Sequence, residues 1–342
     1  MPSLKLIRKR ILSVKSTQKI TRAMKMVAGA KLNRAQQRIT ELRPYAVKVQ
    51  AVLAEITKPG AGAAPVEAPS PMDAPPALPP AAADVSPAEA GPDGALALPQ
   101  AEGAFGEKPA HPLLVQRAEK NVLLVVLTSD RGLCGAFNTN INKRAEREWK
   151  ARSESGQNVQ LVVIGRKGRD YFNRRNAPVR EYLPGIWDKL SLETSQHVGE
   201  RVLAPFNKGE IDSIYFVYNE FKSAMSQMVV AERLLPVAQP EPGEPGVGTD
   251  TPTTQAAEFL FEPDREALLE RLVPMYMDIS IMRALYESMA SFLGAQMTAM
   301  DAATKNAKEM IDALTLQYNQ ARQAAITKEL MEIIGGSEAL KE

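Results

Sequence analysis

Apolar residues recur every three or four positions along the first 57 residues. They run through Leu4, Ile7, Ile11 and Val14, then Ile20, Met24 and Val27, then Leu32, Ala35, Ile39, Leu42, Ala46, Val49, Leu53 and Ile56. Spacing sustained over so many turns predicts one amphipathic helix with a coiled-coil seam. Such a helix spans roughly 80 Å, more than the width of a small domain, so it needs an equally long partner. Pro44 removes one backbone hydrogen bond and predicts a kink rather than an end, since the pattern resumes at Ala46.

The partner lies at the other end of the chain. The same spacing returns through Leu268, Leu272, Met275, Ile279, Met282, Tyr286, Met289, Leu293, Met297 and Met300. It continues through Ala307, Met310, Leu314, Tyr318, Ala321, Ala325, Met331 and Ile334. Pro263 and the acids around it predict the start, Pro274 a kink, and Gly335-Gly336 the end. Small residues, Ser291 and Gly294 among them, predict a close approach of the two helix backbones.

Between these helices the pattern changes period. Strands are predicted over 120–130, 158–168, 211–221 and 225–236, and helices over 139–155 and 192–210. Strands alternating with helices predict a mostly parallel sheet with helices on its faces. The expected fold class is α/β: a long antiparallel coiled coil of N- and C-terminal helices plus a small Rossmann-like α/β domain. The domains expected are a helix over 1–58, a Pro/Ala-rich disordered insertion over 59–112, the α/β domain over 113–258 with a loop at 236–255, and a helix over 259–342. The insertion holds 13 of the 25 prolines and almost no large apolar residue, so it cannot bury enough surface to order itself.

Charge sharpens one part of this picture. The 342-residue chain has a net charge of only +2. Residues 1–50, however, carry 13 Lys or Arg against a single acid, Glu41, a local charge of +12. That bias predicts an acidic partner for the first helix. A mitochondrial transit peptide shares the basic start, but the helical pattern continues well past residue 30. No secretory signal is visible, and no apolar run approaches the length of a membrane span. The 14 methionines read most simply as core gap-fillers.

Candidate chemistry is thin. "TSDRGLCGAFNTN" (128–140) puts the only cysteine, Cys134, in a Gly-rich turn after a strand. A catalytic thiol needs a base, and neither His111 nor His197 sits in a motif. One cysteine also excludes an internal disulfide and a Cys-built zinc site. "VVIGRKGRD" (162–170) lacks the lysine and hydroxyl of a phosphate loop, so a plain turn is the simpler reading. No acid cluster has metal-site spacing, and no cofactor is expected. The basic helix leaves nucleic acid open as an alternative partner, although it has no aromatic interleaving and no reading motif.

Four stretches carry a family resemblance. "RKRILSVKSTQKITRAMKMVAGAKLNRAQ" (8–36) and "LTSDRGLCGAFNTNI" (127–141) resemble the N-terminal helix and first strand-turn of the gamma subunits of rotary F-type ATP synthases. "FLFEPDREALLERL" (259–272) and "YNQARQAAITKELMEIIGG" (318–336) resemble the start and end of that family's last helix. The resemblance implies a central rotor shaft that is no enzyme itself. It turns inside three alpha and three beta subunits, and its foot, with an epsilon subunit, rests on a membrane c-ring. It implies a peripheral location on the cytoplasmic face of the bacterial inner membrane, with no transmembrane segment and no nucleic acid.

By motif, the resemblance sets Met24, Lys25, Met26 and Val27 against an acidic beta-subunit loop, with Lys9, Arg10, Arg22, Lys31 and Arg34 as further basic partners. Gln296, Arg322 and Gln323 match polar contacts to beta, and Gln296 stands where some relatives have Arg. Leu330, Met331, Ile333 and Ile334 match an apolar bearing tip, and Phe259, Phe261 and Glu262 match c-ring contacts at the foot. Cys134, being alone, cannot form the dithiol switch of chloroplast relatives. Asp130 and Arg131 are left to fix their turn or to face a neighbouring subunit.

Overall fold

The computed structural model describes residues 4–57, 111–115, 117–237 and 265–339. Two helices dominate: α1 (Leu4–Thr57) with 54 residues and α5 (Arg265–Ala339) with 75. At 1.5 Å per residue α5 spans about 110 Å. Both helices continue through their prolines, Pro44 and Pro274. They lie antiparallel: Tyr45 meets Met275, Gly29 meets Met297, Lys25 meets Asp301 and Thr21 meets Thr304.

The seam of α1 differs in part from its apolar spacing. Covered or half-covered positions run through Leu4, Ile7, Ile11, Val14, Gln18, Thr21, Lys25, Ala28, Leu32, Ala35, Ile39, Leu42, Ala46, Val49 and Leu53, with Met24, Gly29 and Gln36 half-covered beside them. The first fifteen of these form an unbroken alternation of steps of three and four. Ile20 and Val27, expected in the seam, are 57% and 56% exposed. The apolar pattern stutters there because the seam itself turns polar or small, at Gln18, Thr21, Lys25 and Ala28. On α5, Met310 likewise faces outward and Ile311 takes its place. Gly335 and Gly336 do not end the helix. It continues to Ala339, and nothing lies within 4 Å of the position a Cβ would take on either glycine.

The α/β domain follows the order β1 (Asn121–Leu127), α2 (Phe137–Glu154), β2 (Asn158–Ile164), α3 (Arg166–Asn173), β3 (Val179–Leu183), α4 (Leu192–Asn207), β4 (Ser213–Phe221) and β5 (Gln227–Leu235). The strand order is β3-β2-β1-β4-β5, parallel except for β5, which pairs antiparallel with β4. β3 is a strand that the hydrophobic pattern does not announce. β1 is buried on both sides, as a central parallel strand must be. Leu123, Val125 and Leu127 pack toward α4 and the lower part of α5, and Val122, Leu124 and Val126 toward α2 and α3.

The lower half of α5 is therefore enclosed. One side meets α1 through Ala290, Leu293 and Met297, which cluster with Leu32 and Ala35. The other side meets the sheet. Ser291 Oγ donates to the Asn219 carbonyl at 2.9 Å, and a Cβ on Gly294 would stand 3.2 Å from the Ala224 carbonyl. These two small residues admit the β4–β5 hairpin, rather than α1 as their spacing suggests.

Candidate functional site

The Gly-rich turn after β1 is held by side chains that satisfy one another. Asn138 Oδ1 accepts the Ser129 amide at 2.9 Å. The Asn138 amide nitrogen donates to Ser129 Oγ at 2.8 Å and to Cys134 Sγ at 3.2 Å. Cys134 is buried, and burial pushes its thiol above the ordinary value. A thiol kept protonated with an amide for a neighbour is a packing residue, not a nucleophile. His111 is engaged elsewhere, where its Nδ1 accepts the Leu113 amide at 3.2 Å. Asp130 Oδ1 accepts the Arg166 amide at 2.9 Å and so caps α3, which gives the Asp of the Asp-Arg pair a structural task.

The glycines of "VVIGRKGRD" serve the same junction. Gly165 has φ +97°, and a Cβ there would stand 2.1 Å from the Thr128 carbonyl. Thr128 Oγ1 donates to the Ile164 carbonyl and accepts the Gly168 amide, both at 2.9 Å. The pair lets β1 and the start of α3 touch, and the Gly168 amide is already used. Among the described residues no group of His, Cys, Asp or Glu could hold a metal ion.

The surface with most to offer is the two-helix arm. Its predicted contact residues fall into two sets. Met24 and Lys25 turn partly inward, and the Lys25 ammonium sits 2.6 Å from Asp301 Oδ1. Hydrogen bonds from Lys25 and then Lys305 hold the Asp301 carboxyl below its usual range. Met26 and Val27 point outward, 61% and 56% exposed. Lys9, Arg10, Arg22, Lys31 and Arg34 are exposed too. On α5, Gln296 is half-buried near the domain while Arg322 and Gln323 are exposed. From Ile326 to Ser337 every side chain is exposed, including Leu330, Met331, Ile333 and Ile334, because α5 runs on past the start of α1. Phe259, Phe261 and Glu262 lie outside the described residues, as does most of the 59–112 segment.

A second polar group, which no motif announces, sits where α5 leaves the domain. Arg283 forms an ion pair with Glu232, whose Oε2 also accepts the Tyr218 hydroxyl at 2.6 Å. One turn on, Glu287 is 9% exposed. Burial raises its carboxyl to about 7. The Arg283 cation opposes that rise, Glu220 and Glu232 add to it, and Arg43 weakly opposes it. Spacing places Glu287 on an apolar helix, and only the packing around it reveals that it is covered.

Comparison with known proteins fits this geometry. A family described as ATP synthase matches residues 3–340. An ATP synthase gamma chain from Sorangium cellulosum (strain So ce56) is 70% identical, with both chains covered in full. That of Anaeromyxobacter sp. (strain Fw109-5) is 43% identical, again with both chains covered in full. Among solved structures, a chain of the Euglena gracilis mitochondrial ATP synthase (OSCP/F1/c-ring, rotational state 3) superposes with a TM-score of 0.59. It is 18% identical, and 98% of this chain and 94% of that one are covered. A chain from the central stalk and c-ring of the Tetrahymena thermophila mitochondrial enzyme gives 0.54 at 23% identity, covering 83% of this chain and 99% of that one. At such identities the likeness is one of fold.

Proposed function

The chain belongs to the family of ATP synthase gamma chains, and from that premise we propose how its parts serve a rotating central stalk. It is a non-catalytic subunit, and synthesis and hydrolysis of ATP occur on other subunits. The observation that carries the reading is the division of α5. Its lower half is packed between α1 and the sheet, whereas its upper half projects with α1 and finally alone. A rod anchored at one end and free at the other can carry torque from the anchor to the tip.

In this reading the projecting arm turns inside three alpha and three beta subunits. Met26, Val27 and the exposed lysines and arginines of α1 face acidic beta-subunit surface. Such contacts are solvated and shift easily, which suits a surface that must release each partner in turn. Arg322 and Gln323 make polar contacts to beta, Gln296 does so from a half-buried position, and Met24, also half-buried, faces the beta loop. Lys25 shares its charge between Asp301 and the beta loop. Leu330, Met331, Ile333 and Ile334 form the tip held in an apolar collar. At the other end, Phe259, Phe261 and Glu262 contact the c-ring, beside an epsilon subunit. The shaft drives catalysis only through contacts that differ with angle, since a surface that binds every state equally shifts none.

No helix among the described residues is long and apolar enough to cross a membrane. The proposed location is peripheral, on the cytoplasmic face of the bacterial inner membrane, held there through the c-ring. A nucleic-acid-binding role for the basic helix has no support from the relatives.

The test is to scramble residues 322–336 and assemble the variant with alpha and beta subunits. Proton-driven synthesis should fall severely while the complex still forms. Synthesis at the unmodified rate would overturn torque transmission through this end of α5.

A further inference from the structure

Where α5 leaves the α/β domain, other elements hold it on three faces. The first face meets α1. Ala290 and Leu293 cluster with Leu32 and Ala35, and the Met297 sulfur lies 3.6 Å from where a Cβ would stand on Gly29. The second face meets the β4–β5 hairpin. Ser291 Oγ donates to the Asn219 carbonyl, and Gly294 lies against the Ala224 carbonyl. Thr298 Oγ1 shares its proton between that same carbonyl at 3.2 Å and the Gly294 carbonyl at 3.0 Å. The third face meets the Gly-rich turn after β1 and the start of α2. Phe292 meets Phe137 edge to face, 5.7 Å between ring centres, and Ala295 packs on the same cluster. The Ala299 Cβ lies 4.0 Å from where a Cβ would stand on Gly135.

The three rows are Ala290-Leu293-Met297, Ser291-Gly294-Thr298 and Phe292-Ala295-Ala299. With 3.6 residues per turn, neighbouring rows stand about 100° apart around the helix. The row left over, Met289 and Gln296, is half-buried. Met289 borders a crevice of about 200 Å³ where the Trp187 indole N–H and the Ser288 hydroxyl are buried without partners, so that side is less closely filled. A helix touched on one face can roll away from the touch. Touched on separate faces and backed by a partner helix, it can roll in neither sense.

The place along α5 matters as much as the faces. From Asp301 upward, the hydrogen bonds and ion pairs of α5 among the described residues reach only α1 or α5 itself. The stretch 290–299 is thus the last at which the domain holds the arm, and a twist applied to the domain crosses at or below it. Both holding elements are themselves braced. The β4–β5 ladder extends out to Phe221 and Gln227, and the Gln227 amide nitrogen donates to the Ala224 carbonyl at 2.9 Å. In the turn, the bonds among Ser129, Asn138 and Cys134 fix the loop, and Gly135 at φ +56° brings the backbone in to Ala299.

We propose that residues 290–299 are where the domain hands torque to the arm, with the β4–β5 hairpin and the Gly-rich turn as two jaws and Gly294, Thr298 and Ala299 as the positioning residues that seat them. The proposal rests on the rotor reading above and adds to it the place where the twist crosses. Loosening either jaw makes this joint more compliant and leaves the seam of the arm and its tip as they were. The turn that carries the chain's only cysteine thereby has a mechanical task.

The test uses the full chain assembled with alpha and beta subunits. Lys208, exposed just past α4, is the attachment point: Lys208→Cys carries a rod for single-molecule imaging, and Cys134 stays buried. ATP should turn the rod. At rest with a non-hydrolysable nucleotide, the spread of rod angles reads the compliance between tip and domain. Gly294→Val, which drives the hairpin off, and Ala299→Leu, which drives the turn off, should each widen that spread. Thr298→Val tests the hairpin without added bulk. It should widen the spread less, with an unchanged thermal midpoint, and Thr298→Ser should restore it. Thr315→Val, whose native hydroxyl bonds only within α5, should leave the spread unchanged. An unmodified width in Ala299→Leu, or in both hairpin variants, overturns the two-jaw joint. So does a widening by Thr315→Val equal to theirs. A rod on the unmodified chain that ATP does not turn overturns the rotor reading and this proposal with it.

Discussion

Leu285 and Leu330 lie on the same helix and share one side chain, yet one is 1% exposed and the other 53%. Below Met300, α5 touches something on nearly every side. Above it, only a stripe is covered, and from Ile326 to Ser337 nothing is. The difference is not written in hydrophobicity, since Ile333 and Ile334 are as apolar as any core residue. It arises from what the rest of the chain provides, which is two layers at the lower end and none at the tip. Apolar side chains in the first region hold this molecule together. In the second this chain leaves them uncovered.

The largest test of that contrast is Ile281→Ala. Ile281 is fully buried, and its Cδ1 lies 3.4 Å from where a Cβ would stand on Gly199 of α4. Emptying that place should cost about 2–5 kcal/mol, read as a fall in the urea midpoint. A loss below about 1 kcal/mol would mean that the lower half is less tightly enclosed than described.

The next largest concerns Glu287, which titrates at about 7 in the folded chain against an ordinary 4.5. The folded state therefore binds the proton more tightly than the unfolded state does. Its contribution is fully present below pH 4.5 and is lost as pH rises through about 7. Glu287→Gln should remove that slope and raise stability at pH 8 by up to about 3 kcal/mol. Parallel stability–pH curves for the two proteins between pH 5 and 8 would show that the carboxyl is better solvated than its packing indicates.

Thr21→Val probes the upper arm, where only the seam is covered. The Thr21 and Thr304 hydroxyls stand 2.8 Å apart, and Thr304 keeps the Met300 carbonyl at 2.7 Å as a second partner. The loss should be about 1 kcal/mol, well below that at Ile281. The smallest effect belongs to the tip. Leu330→Ala and Ile333→Ala should leave the free chain's melting unchanged within about 0.5 kcal/mol. In the assembled complex the same changes should reduce coupling between rotation and synthesis. A stability loss in the free chain matching that at Ile281 would erase the distinction between the two regions.

Much of this architecture is legible in the residues. The two long helices follow from spacing alone, and β1, β2 and β4 from apolar runs that only a doubly covered strand tolerates. β3 escapes notice because "VREYL" is short and sets Arg180 and Glu181 side by side, lying at the sheet edge between Pro178 and Pro184. The seam is misread at Ile20 and Val27 because the true seam is occupied there by Gln18, Thr21 and Lys25, which hydrophobicity does not mark. The proposed contact residues of the arm come from motif resemblance. The groups that sequence leaves hidden, Glu287, Ser288 and Trp187, are single polar side chains whose meaning depends on what covers them. Coverage is a property of three dimensions.

The polar stretch in the seam has a consequence for how such a molecule can change length. An all-apolar coiled coil can slide by seven residues and meet itself again. Here Thr21 must find Thr304 and Lys25 must find Asp301, so the two helices are indexed to each other at one place. Residues added to α5 between the domain and that index have to be matched in α1, or the polar pairs lose each other and Thr304 falls opposite an apolar seam residue such as Val14. Residues added beyond Ala325 meet no such demand. The tip can lengthen or shorten one helix at a time, while the stem between domain and index lengthens only as a pair.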